Sequence, residues 1–310
     1  MQIVVLDDYA ECVRTLTAFE KARGHDVTVL TTAPRDRDDL AVRLRDAEAV
    51  ILIRERTAID AALLDRLPRL RLIAQTGKVG PHLDRAACER RGIVVTESAG
   101  GGAGTAELTV LLALASLRHL VDEATNLKAG GWQRSLGRTL RGRRFGIYGY
   151  GRIGVQVARL VSAFGAEVVA WGRETTLDRA RADGLTCAAS REEFFAACDL
   201  VSLHLRLTPE TRGIVTAEDF ARMDRDAIFL NTSRAELVVP GALETALRKG
   251  RPGRAAIDVF EREPVLGASD PILQLPQCLA TPHLGFVERD TYEAYFSAAF
   301  DQINAFAARA

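Results

Sequence analysis

The sequence predicts an α/β protein built on two doubly wound parallel sheets, and three observations lead there. Short β-branched runs alternate with longer stretches of helical spacing, the rhythm occurs twice along the chain, and a segment rich in glycine, Ser98 to Gly104, separates the two series. In the first series Gln2 to Leu6, Asp26 to Leu30, Ala49 to Ile53, Leu70 to Ala74 and Ile93 to Thr96 read as buried strands, with helices over Thr57 to Leu67 and Asp84 to Arg91. The second series supplies strands at Arg144 to Tyr148, Glu167 to Trp171, Leu200 to Leu205, Ala227 to Asn231, Ala255 to Val259 and Cys278 to Thr281. Between the series, Thr105 to Leu120 is apolar almost all round, so it must be covered by another domain or subunit, which points to a homodimer. The last helix, Glu288 to Ala308, carries Tyr292, Tyr295, Phe296, Phe300 and Phe306 on one stripe and is expected to return to the first unit. The domains are then residues 1–99 with 287–310, and residues 100–286.

Composition narrows the partner. The 310 residues are 47% hydrophobic and 26% charged, and 41 basic side chains balance 41 acidic ones, so no global positive field exists to hold nucleic acid or an anionic membrane. The longest apolar run, Leu108 to Leu117, is about half of the ~20 residues of a membrane span. Met1 leads straight into the apolar run Ile3 to Leu6, which reads as a first strand and not as a signal peptide. Five cysteines without metal-ligand spacing point to reduced thiols in a cytoplasm and to no metal site. A small-molecule partner is expected.

The motif Gly149-Tyr-Gly-Arg-Ile-Gly154 follows a strand and opens a helix. Gly149 suits a tight turn, Gly151 lets a pyrophosphate approach the backbone, and Gly154 lets helix and strand pack closely, with N–H donors and the positive end of the helix dipole facing the phosphates. An S-adenosylmethionine loop is an alternative use of the same glycines. About 20 residues further on, where an acid would bond the adenosine ribose of NAD, the chain has Trp171-Gly172-Arg173-Glu174. Gly172 removes a charge that would repel a 2′-phosphate and Arg173 adds one that would attract it, so of NAD and NADP the second is favoured, while Glu174 remains within reach of the ribose. Three further strand ends carry Arg234, Glu263 and His283, residue types suited to hydride chemistry on a 2-oxo acid.

With GYGRIG stand VSLHLRLTPETRGIV, NTSRAELV, AAIDVFEREP and TPHLG, in that order over nearly the whole chain. The set resembles the D-isomer-specific 2-hydroxyacid dehydrogenase family, which includes phosphoglycerate dehydrogenases and glyoxylate/hydroxypyruvate reductases. The resemblance implies a flavodoxin-like substrate domain and a Rossmann NAD(P)-binding domain with the active site in the cleft between them, and dimers. It implies that Arg234 grips the substrate carboxylate and carbonyl oxygen, a bidentate task for guanidinium. His283 is the expected acid/base, since imidazole titrates near ~6.5, and Glu263 its orienting carboxylate.

Cofactor contacts are implied for Thr105, for Tyr150, Gly151, Arg152, Ile153 and Gly154, and for Gly172 and Arg173. They are also implied for His204, Leu205, Arg206 and Thr211 on the adenosine side, for Asn231, Thr232 and Ser233, and for Asp258, His283 and Gly285 near the nicotinamide. His204 is the rival catalytic histidine. Lys78, Val79 and Gly80 match the family's substrate loop, whose backbone N–H groups would hold the carboxylate of a small 2-oxo acid. Lys78 stands where family members commonly have an apolar residue and resembles the phosphite-oxidising members. Two other readings therefore stay open: a phosphite-type dehydrogenase, and a non-catalytic NAD(H)-sensing protein.

Overall fold

Alternating apolar strands and capped helices build two α/β units, residues 1–101 with 287–310, and residues 102–286. The structure is a computed structural model that describes residues 1–100 and 102–309; Gly101, inside the predicted hinge loop, and Ala310 lie outside the described residues. The sequence places the first break two residues earlier.

In the first unit, β1 (Gln2–Val5), β2 (Asp26–Val29), β3 (Ala49–Ile53), β4 (Leu72–Thr76) and β5 (Val94–Glu97) form one parallel sheet in the order β2-β1-β3-β4-β5. Every residue of β3 and β4 is buried, as their unbroken apolar runs require of central strands covered on both faces. The helix Arg289–Ala307 packs on the 3-10 helix Thr17–Ala22 and on β4, burying Phe296, Phe300 and Ile303, each worth about 1.5–3 kcal/mol. Phe300 meets Phe19 edge-on at 5.9 Å, and the Glu293 carboxylate accepts from the N–H groups of Thr17 and Ala18 at 2.8 Å each. The predicted helix over Thr57 to Leu67 shrinks to Ala61–Leu64 behind an Asp60 cap, because Ile59 instead bridges to Leu83.

The second unit holds β6 (Arg144–Tyr148), β7 (Glu167–Trp171), β8 (Thr186–Cys187), β9 (Leu200–Leu203), β10 (Ile228–Asn231), β11 (Arg254–Ile257) and β12 (Cys278–Ala280). They form a parallel sheet in the order β12-β11-β10-β9-β6-β7-β8. Two residues are too few for β8 to show a periodicity. The apolar helix runs Ala103–Leu117 and buries Ala106, Val110, Ala113 and Leu117 under this sheet. It stops short of the predicted Leu120 because His119 turns into the left-handed region at φ 50, and Leu120–Lys128 leaves at 63°. No single described helix is long and apolar enough to cross a membrane.

Candidate active site

The strand order of the second sheet reverses between β6 and β9, and in such sheets ligands bind beyond the carboxyl ends of the strands at that point. Gly149 leaves β6 at φ 100, and a Cβ there would stand 2.7 Å from the His204 carbonyl oxygen, so only glycine lets the two strand exits approach. A Cβ on Gly154 would collide with the Gly149 carbonyl. Gly151 differs from both: nothing lies within 4 Å of its Cβ position, and the helix it opens, Arg152–Ala163, has no side-chain cap. Open space in front of uncapped N–H groups fits a dinucleotide pyrophosphate. The Tyr150 ring is buried and its hydroxyl donates to Asp183 at 2.8 Å, so Tyr150 has only its backbone to offer a cofactor. Arg152 is exposed and Ile153 half-buried.

On the adenosine side, a side chain at position 172 would begin 2.9 Å from Thr176 Oγ1. Arg173 is exposed, and no described residue pairs with its guanidinium. Glu174, the acid within reach of a ribose in the sequence reading, is instead held by Arg181 at 2.6 Å. Thr211 closes its own loop, its Oγ1 donating to the Arg206 carbonyl at 2.7 Å and accepting from Thr208 N–H at 2.8 Å, while Arg206 projects outward. Leu205 packs against the core. The Nε2 of His204 lies 2.9 Å from Ser202 Oγ, and burial pushes its pKa down to about 3. That keeps the ring neutral and without a carboxylate partner, a poor acid/base.

Beyond β10, Asn231 shapes the turn that carries Arg234: its Nδ2 donates to the Arg234 carbonyl at 2.9 Å, and its Oδ1 accepts from Ser233 N–H at 3.0 Å. Ser233 Oγ donates to Leu203 O, and Thr232 Oγ1 lies 2.7 Å from Thr109 Oγ1. Arg234 is half-buried with NH1 on the Ser233 carbonyl at 2.7 Å.

Asp258, fully buried at the end of β11, accepts from Thr281 Oγ1 at 2.6 Å, Leu284 N–H at 2.7 Å and Gly285 N–H at 2.8 Å. Burial raises its pKa against these donors. Asp258 thus holds the loop that carries His283, where the backbone sits at φ 52. Thr105 Oγ1 anchors the same loop through the Gly285 carbonyl at 2.8 Å.

His283 Nδ1 lies 2.6 Å from Glu263 Oε2, and the other Glu263 oxygen accepts from Phe260 N–H at 2.9 Å. Burial pushes the Glu263 pKa up, but the His283 hydrogen bond and charge, the Phe260 N–H and the charge of Arg234 outweigh it and hold the group below the usual carboxylate range. An ionised carboxylate can only accept, so Nδ1 is assigned the proton and Nε2 is left for chemistry. Thr281, Thr109 and Ser202 were not singled out from the sequence; a hydroxyl two residues before His283 was the available signal.

Lys78, Val79 and Gly80 belong to the first unit, on the loop after β4. Lys78 Nζ pairs with Glu97 Oε2 at 2.8 Å, and Val79 N–H donates to Glu97 Oε1 at 3.0 Å. The Val79 N–H, expected to hold a substrate carboxylate, donates here to Glu97.

Residues 110–285 match the family described as D-isomer specific 2-hydroxyacid dehydrogenase, NAD binding domain. The chain is 31% identical over 270 residues to a D-3-phosphoglycerate dehydrogenase of Methanocaldococcus jannaschii, covering 86% of this chain and 51% of that protein. It thus spans about half the length of the curated phosphoglycerate dehydrogenases it matches. A glyoxylate reductase of Aeropyrum pernix is 34% identical over 285 residues, 88% of this chain and 84% of that one. A solved phosphoglycerate oxidoreductase from Vibrio cholerae superposes with a TM-score of 0.97 at 48% identity over 100% of both chains. The chain belongs to the D-isomer specific 2-hydroxyacid dehydrogenase family.

Proposed function

We propose that this protein interconverts a small 2-oxo acid and its D-2-hydroxy acid with a nicotinamide dinucleotide, and that NADP(H) is preferred. The observation that carries the reading is the His283–Glu263 pair at 2.6 Å beside Arg234 on the strand ends of the dinucleotide sheet. The nicotinamide, when bound, supplies or accepts the hydride. In reduction Arg234 binds the carboxylate and carbonyl oxygen and polarises the carbonyl. The Nε2 proton of His283 passes to the oxygen as it becomes an alkoxide, and Glu263 stabilises the imidazolium that must exist beforehand. One hydride and one proton enter; oxidation runs the steps backwards with His283 as base.

The coenzyme preference is supported by Gly172, the unpaired Arg173 and the engagement of Glu174 by Arg181. On the first unit, Gly80 N–H remains as a backbone donor for the substrate carboxylate, with Lys78 beside it. The pairing of Lys78 with Glu97 weighs against a phosphite substrate, and the complete His–Glu–Arg set weighs against a purely sensing role. Exposed Leu111, Leu120, Val121 and Leu127 on the two helices after the glycine-rich loop support a homodimer. Five free thiols suit a reducing compartment.

The test is loss of NADPH or NADH absorbance with glyoxylate, hydroxypyruvate, pyruvate, phenylpyruvate and phosphohydroxypyruvate, with phosphite in the oxidative direction. Turnover of one 2-oxo acid that is faster with NADPH is expected. Silence across the acids despite coenzyme binding overturns the reading.

A further inference from the structure

Glu97 makes a set of contacts that hydride transfer does not call for. At the end of β5, its carboxylate takes Lys78 Nζ at 2.8 Å, Val79 N–H at 3.0 Å and the Arg85 guanidinium at 2.5 Å. The next residue continues the clamp: Ser98 Oγ accepts from Gly77 N–H at 2.7 Å, and Ser98 N–H donates to Gln75 O at 3.1 Å. Two more charges border the same loop. A Cβ on Gly77 would overlap the Arg54 guanidinium, and one on Gly80 would stand 2.9 Å from the Glu55 carboxyl carbon. With the loop's own Asp84 counted, the cations Arg54, Lys78 and Arg85 are balanced by Glu55, Asp84 and Glu97; without Glu97 one positive charge is left over.

We propose that Glu97 is a specificity-determining residue that matches this loop to singly charged acids, so that the substrate carries one carboxylate and no second anionic group there. The inference rests on reading the loop as the substrate-carboxylate site. A single carboxylate can be held by the Gly80 N–H with the Lys78–Glu97 pair intact. A dianion can recruit Lys78 only by breaking that pair, which leaves the Glu97 carboxylate facing a second negative charge. Glu97 is held by two cations and a backbone N–H, which lower its pKa, the Lys78 bond first, so it stays ionised at neutral pH. The phosphorylated acid in the names of several relatives is, on this argument, the poorer substrate for this chain.

The experiment measures binding rather than turnover. Oxamate and oxalate are near-isosteric and carry one and two negative charges. Their affinities for the coenzyme-loaded protein are compared by calorimetry at low salt, where exposed charges are least screened. The wild-type protein is expected to favour oxamate. Glu97→Gln is expected to move the oxalate-to-oxamate affinity ratio about fourfold or more towards oxalate, the order expected for a unit charge at ~5 Å in a largely aqueous dielectric.

Lys78→Gln should move the ratio the other way, and the double variant should return it to the wild-type value, which loosening of the loop alone would not do. A wild-type preference for oxalate, an unchanged ratio in Glu97→Gln, or failure to bind either acid overturns the proposal. Oxamate binding without turnover of any 2-oxo acid overturns the reductase reading and leaves the charge-matching result standing on its own.

Discussion

The two sheets share an architecture and treat the same position in opposite ways. In each, strand order reverses beside the first strand, between β1 and β3 in one unit and between β6 and β9 in the other. At the first reversal the chain fills the crevice with its own side chains. Asp7, 3% exposed, accepts from Thr57 Oγ1 at 2.6 Å and Tyr9 Oη at 2.9 Å, while Arg56 donates to its carbonyl. At the second reversal the corresponding turn is Gly149-Tyr150-Gly151, and the space at Gly151 is empty. A strand-end crevice becomes a dinucleotide site only where the chain withholds side chains from it. Elsewhere the same geometry is ordinary polar packing.

Perturbing each side of this contrast gives outcomes of decreasing size. His283→Ala is expected to lower kcat by about 10²–10⁴-fold while coenzyme still binds, read by steady-state kinetics and fluorescence titration. Glu263→Gln should lower kcat at least about tenfold, since the His283 ring loses its anionic partner.

The Glu263 carboxyl also links to stability. Its folded pKa lies below the ordinary value, so its stabilising contribution is present above the usual carboxylate range and is lost as pH falls through the depressed value. Glu263→Gln should flatten that acid limb in urea unfolding series, and an unchanged acid limb would count against an ionised pair.

Gly151→Ala should weaken coenzyme binding tenfold or more with stability within about 1 kcal/mol of wild type, because its methyl enters open space. Gly149→Ala, against the His204 carbonyl at positive φ, should cost about 1–3 kcal/mol of stability as well. The mirror experiment is Asp7→Ala, which removes the acceptor of the Thr57 and Tyr9 hydroxyls and should cost about 1–3 kcal/mol with coenzyme affinity unchanged. Any fall in coenzyme affinity there would break the contrast between the two crevices. Smallest is Arg173→Ser, expected to weaken 2′,5′-ADP about tenfold while leaving 5′-AMP unaffected; equal losses for both would remove Arg173 from the 2′-phosphate.

Much of the site was legible in the amino-acid order because its parts are local. A strand, a glycine turn and a helix start are consecutive residues, and Arg234, Glu263 and His283 each follow a strand by a few positions. Hydrophobic periodicity placed every strand but the two-residue β8 within about two residues, and the returning helix within one at each end. What failed was also local in kind: Thr57 to Leu67 has helical spacing, but the bridge from Ile59 to Leu83 takes its first half into extended structure.

The sequence by itself determined the two-sheet class, the glycines whose missing side chains open the turn after β6, and the candidate set of Arg234, Glu263 and His283 at strand ends. These depend on residue chemistry and on spacing within one strand-turn-helix. Only the tertiary structure decided which polar groups are engaged and which are left for a ligand. It gave Asp258 to the loop of His283, Tyr150 to Asp183, Glu174 to Arg181, and Lys78 with Val79 to Glu97. The physical reason is that a donor's partner is set by distance in space, and most of these pairs join residues brought together by the sheets rather than by the chain.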